Sequence, residues 1–144
     1  MDTSELSKIV TANVERLRDQ LRLWEWHIDI EYERLGEPGS AYGTAGSVSV
    51  KGDYRLAVIS LDGDHIENEE MALTVLRHEL IHVFIWPMHA FGHWAEEKSG
   101  GQFAPEDHSA YSFWVERLVG DVERLLDASD VPLQLPEESE EEHD

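Results

Sequence analysis

Cysteine is missing from this chain altogether. Disulfides and thiolate metal sites are thereby excluded, and any metal must be held by His, Asp, Glu or water. Positive charge is scarce: 11 Lys and Arg stand against 31 Asp and Glu, a formal charge of -20. A surface that acidic repels nucleic-acid backbones and anionic membranes, and it suits cations or basic partners. Long apolar runs are missing too, with nothing near the roughly 20 residues that span a bilayer. The opening MDTSELSKIV is acidic and lacks the basic-then-apolar order of a signal peptide. These absences predict a soluble, cytoplasmic protein that binds neither nucleic acid nor membrane. What is present is ordinary. With 41% apolar residues in 144, the chain can bury one core.

Periodicity divides the chain. Leu6, Ile9, Val10, Val14, Leu17 and Leu21 recur at helical spacing over residues 3–23, with Thr3 or Ser4 as cap and Arg16, Arg18 and Arg22 on the solvated side. Trp26, Ile28, Ile30 and Tyr32 then alternate with polar residues, the pattern of a half-buried strand. Val48 and Val50 alternate within a Gly- and Ser-rich stretch. Lys51-Gly52-Asp53 suits a hairpin turn, and Tyr54 to Leu61 reads as a further strand. Residues 67–86 are apolar around most of a helical circumference, which predicts a buried central helix capped by Asn68. Pro87 is expected to end it, leaving residues 87–104 as a long loop. A last helix is predicted from Pro105 to about Ala128, with Tyr111, Trp114, Val115, Leu118, Val122 and Leu125 as its apolar stripe. The five tryptophans, Trp24, Trp26, Trp86, Trp94 and Trp114, read as core and rim packing. The fold class is thus α+β: an N-terminal helix, about three strands in an antiparallel or mixed sheet, a central helix and a C-terminal helix. Residues 1–130 form the domain, and 131–144 form an acidic tail expected to be disordered.

Chemistry concentrates in the central helix. His78-Glu79-Leu80-Ile81-His82 is H-E-x-x-H. Residues four apart share a helix face, so two imidazoles can converge on one Zn2+. Glu79 is turned about 100° from His78. It is placed to act as general base toward an activated water rather than as a ligand. Burying His, Glu and His among Val75, Leu76, Leu80, Ile81, Val83 and Phe84 costs stability unless they are paired or ligate something.

A catalytic zinc needs a third protein ligand. The extended pattern H-E-x-x-H-x-x-G-x-x-H fails, because Ile85 and Met88 stand where its Gly and last His belong. The start of the last helix offers Glu106-Asp107-His108. Asp107 continues the stripe through Tyr111 and Trp114, whereas Glu106 points about 100° away but has the longer side chain. Asp107 is favoured and Glu106 is the alternative. His89 and His93 in the expected loop remain candidates for third ligand or oxyanion donor, as do Tyr111 and His108 for the latter role.

The order of helix, strands, H-E-x-x-H helix and carboxylate helix resembles the zincin metallopeptidases in a small form. It is similar to the minimal gluzincins and to metallopeptidases often encoded by phages and actinobacteria. The resemblance spans roughly residues 3–127, and its specific part is Val75-Leu-Arg-His-Glu-Leu-Ile-His82. It implies one zinc per chain on His78 and His82, Glu79 as base, and a third ligand that is usually Glu, from which Asp107 would depart. It also implies that the strand before the active helix, here Tyr54 to Leu61, is a sheet edge that pairs with a peptide or protein substrate. The resulting expectation is a zinc-dependent peptidase. Its rivals are a non-catalytic zincin-like metal-binding module and an acidic interaction protein that mimics nucleic acid.

Overall fold

The structure, a computed structural model, describes residues 1–36, 44–98 and 108–130; for 96, 108–114, 129 and 130 it describes the backbone alone. The acidic tail lies outside the described residues. Helix α1 spans Thr3–Gln20 and buries Leu6, Val10 and Leu17. Its cap is Asp2, one residue earlier than the hydroxyls suggested, and the carboxylate accepts from the Ser4 amide at 3.0 Å. The helix ends in a Schellman motif. Leu23 N–H donates to the Arg18 carbonyl and Arg22 N–H to Asp19, with Arg22 at φ 54°. Arg18 is not merely solvated. Its guanidinium donates to the carbonyls of Leu23, Trp24 and Trp26 at 2.7 to 3.0 Å and so fixes the entry into the sheet.

Three strands follow, β1 (His27–Tyr32), β2 (Gly46–Lys51) and β3 (Leu56–Leu61). The sheet is mixed and its order is β1-β3-β2, with β1 parallel and β2 antiparallel to β3. The strand read as a sheet edge is therefore the central one. The reason lies in β3 itself: Ala57, Ile59, Ser60 and Leu61 are all buried, and a strand that apolar belongs between neighbours. The hairpin turn passes through Gly52–Tyr54 and Arg55 at φ 49°. A Cβ on Gly52 would stand 2.1 Å from Trp86 Nε1, so glycine lets the turn seat on that indole.

Helix α2 (Glu69–Phe84) lies against the sheet and α1, with Ala72, Leu76, Leu80, Ile81 and Val83 buried. Asn68 caps it, accepting from the Met71 amide at 2.8 Å. The loop expected from Pro87 onward is instead helix α3, Trp86–Lys98. Pro87 occupies its first turn, where a missing N–H leaves no helical bond unmade. Gly92 inside it costs only about 1 kcal/mol against Ala. A single break at Ile85 separates α3 from α2. Helix α4 (His108–Asp130) closes the domain over α2 through Val115 and Val119, with Leu118, Val122 and Leu126 partly buried. Leu125, expected in its stripe, is 68% exposed. Trp24 and Trp94 are exposed, while Trp26 packs against the core. No described helix is long and apolar enough to cross a membrane.

Candidate metal centre

Helix α2 carries two stripes. Ala72, Leu76, Leu80 and Val83 face the core. Val75, His78, Glu79 and His82 form the adjoining stripe at spacings of three, one and three. His78 and His82 thus stand one turn apart, their ring centroids separated by 5.0 Å. Across from them, α4 is anchored by fully buried Val119. Glu116 and Glu123 flank that valine by three and four residues, so the face that packs also carries both carboxylates toward α2.

Glu116 spans the histidine pair. One carboxylate oxygen lies 3.2 Å from His82 Nε2 and the other 3.4 Å from His78 Nε2. Glu123 meets the far side of the same ring, with Oε1 at 2.9 Å from His78 Nδ1. Arg77 adds a 2.7 Å ion pair to Asp127 one turn on, tying the helices together. Among the described residues, His78, His82 and Glu116 are the one group of three whose ligand atoms all lie within 4.8 Å of one another. The group could hold a metal ion. Two imidazole nitrogens and a carboxylate oxygen suit borderline divalent cations, zinc among them.

Glu79 is 7% exposed and accepts no ion pair in this cluster. Burial pushes its carboxyl up to about 7; the His78 charge opposes this and Glu116 adds to it. Burial also lowers the proton affinity of His82, against Glu116 and with His78 and His89, which favours the neutral, ligating form. Space for the Glu79 side chain is kept by Gly46 at the start of β2. A Cβ there would lie 3.2 Å from Glu79 Cγ and Oε1 and 2.6 Å from Val75 Cγ1. Strand β2, an outer strand of the sheet, therefore runs directly beside the buried acid.

Of the residues singled out in the sequence, His78, Glu79 and His82 come together as the motif requires. Asp107 and Glu106 lie outside the described residues, as do the side chains of His108 and Tyr111. His89 and His93 sit on α3 rather than on a loop, and they are not in the three-residue group. Glu116 and Glu123 escaped the sequence reading. The signal for them was present: two glutamates seven apart share a helix face, and they straddle a valine. No family model matches the chain, and no curated protein or solved structure matches it either.

Proposed function

We propose that the protein is a zinc-dependent peptidase in which His78, His82 and Glu116 hold the metal. The observation that carries this reading is the convergence of Glu116 on both Nε2 atoms, at 3.2 and 3.4 Å, beside a buried acid. Glu116 fills the role that the sequence reading gave to Asp107 or Glu106, and it restores the glutamate usual in the gluzincins that the chain resembles. Zinc, when bound, supplies Lewis-acid activation of a water and of the scissile carbonyl.

The chain's own residues do the rest. Glu123 accepts the Nδ1 proton of His78 and so leaves Nε2 to ligate; carboxylates in this position fix tautomer and ring orientation. Glu79, with a carboxyl poised near neutrality, takes a proton from the attacking water and delivers it to the leaving amine. Its burial keeps bulk water from competing for that proton. A peptide lies along β2, adding as a strand by main-chain hydrogen bonds, which brings its carbonyls past Gly46 to Glu79. The excess of acidic residues favours basic peptides.

The test is cleavage of an unstructured, lysine-rich peptide mixture by protein carrying one equivalent of zinc. Chelation should abolish cleavage and added zinc should restore it. Stoichiometric zinc with no cleavage of any peptide would leave a metal-binding module in place of a peptidase.

A further inference from the structure

Helix α3 repeats the spacing of the first histidine pair. His89 and His93 are four residues apart, and their midpoint is 11 residues, close to three helical turns, beyond that of His78 and His82. Helix α3 leaves α2 at the single break at Ile85. His89 is near enough to His82 to weigh on its proton affinity.

The geometry of the second pair is that of convergence. The two Nε2 atoms are 3.1 Å apart and the ring centroids 4.8 Å apart, at 66°. Two rings in a head-on N–H···N bond of that length would hold their centroids about 5.4 Å apart, since each ring adds about 1.15 Å on its own axis. Two rings bound to one cation at about 2.05 Å would subtend about 100° at it and hold their centroids about 4.8 Å apart. The observed separation excludes the head-on bond and fits two ring axes that converge on a point between them. Trp86 stacks on His89 at 5.4 Å and 27°, which holds that ring in its aim. Both sites sit in the field of a chain with formal charge -20, which gathers cations.

We infer that His89 and His93 form a second metal site, a two-histidine clamp on α3 for a borderline divalent cation such as Zn2+, Ni2+ or Cu2+. Imidazole pairs select such ions over Ca2+ and Mg2+, which take oxygen ligands. A pair of imidazoles gives fewer ligands than the three-residue group, so binding is weaker there. The site does not depend on the peptidase reading, because it is built from other side chains on another helix.

The experiment is calorimetric titration of the full chain with Zn2+ at neutral pH, for wild type, His93→Ala, His89→Ala and His82→Ala. Wild type should show two events, the second about 100-fold weaker or more. His93→Ala changes an exposed side chain, so the fold is not at risk. It should lose the second event and keep the first within twofold. His82→Ala should weaken the first and keep the second. Ca2+ should give no event that His93→Ala removes. A single event in wild type would overturn the site and leave a plain hydrogen bond between the rings. A weakened first event in His93→Ala would make His93 a ligand of the first centre instead. A second event that survives both His89→Ala and His93→Ala, or that Ca2+ reproduces, would move it to acidic groups and overturn the clamp as well.

Discussion

Glu79→Gln separates stability from chemistry at one residue. The Glu79 carboxyl titrates near 7 in the fold against an ordinary 4.5, chiefly because it is buried. A raised carboxyl means that the native state holds a proton which the unfolded chain has released. The contribution to stability is therefore complete below about 4.5 and is lost as pH rises through about 7. The shift corresponds to about 3 kcal/mol, an upper figure because the carboxyl keeps some exposure to water. Glutamine has the shape of the protonated acid and cannot ionise, so it escapes the loss. In chelator, Glu79→Gln and wild type should unfold alike near pH 4.5. By pH 8 the variant should be more stable by up to about 3 kcal/mol, or roughly 10 °C in melting temperature. The assay is urea unfolding at three pH values in EDTA. A difference that stays flat with pH, or a variant less stable at pH 8, would refute the argument from burial. With zinc restored, the same variant should keep its metal and lose peptide cleavage by two or more orders of magnitude, the scale of a general base.

The other predictions concern the shell around that acid. His78→Ala, His82→Ala and Glu116→Ala should each lower zinc affinity by about two orders of magnitude or more in a competition assay with a chelating dye, because two protein ligands hold zinc poorly. In the same assay Asp107→Ala and Glu106→Ala should leave affinity within twofold, and a large loss in either would return the third ligand to that residue. Glu123→Gln should lower affinity about 10- to 100-fold by freeing the His78 ring. Gly46→Ala should cost about 1 to 3 kcal/mol in chemical denaturation, since its methyl group meets Val75 and Glu79, and an unchanged midpoint would show that β2 yields there.

The parts of the fold legible in the sequence are those where one face alone is buried. The alternation from Trp26 to Tyr32 and the recurrence of Leu6, Val10 and Leu17 each report a single apolar side, and both became the expected elements. Strand order was not legible. Side-chain alternation sets which face is covered and says nothing of which strand stands between the others; here that followed from the burial of Ala57, Ile59 and Leu61 on a strand with little polar relief. Helix α3 is not legible because Pro87 reads as the end of the preceding helix. In a first turn proline breaks nothing, and one glycine is outweighed when neighbouring side chains pack, as Trp86 does on the turn at Gly52.

The site divides in the same way. His78, Glu79 and His82 were legible because the motif lies within one helix, where spacing alone fixes geometry. Glu116, the third member of the group, required knowing how α4 turns against α2, which the apolar stripe gives only in part. It was drawn through Leu125, which is solvent-exposed, whereas Val119, left out of it, is fully buried. That is a rotation of the inferred face. It brings Glu116 and Glu123, on either side of the buried valine, to face α2. This helix packs partly through polar groups. An apolar stripe records where water is excluded by hydrocarbon, but between α2 and α4 part of the contact is ionic. Glu116 on both histidines, Glu123 on His78 and Asp127 on Arg77 occupy positions that amphipathicity counts as solvent. Acids seven and four apart, 116, 123 and 127, opposite the 77, 78 and 82 set of cations and imidazoles, are the pattern that names this interface. It is read as charge pairing between two helices rather than as hydrophobicity along one.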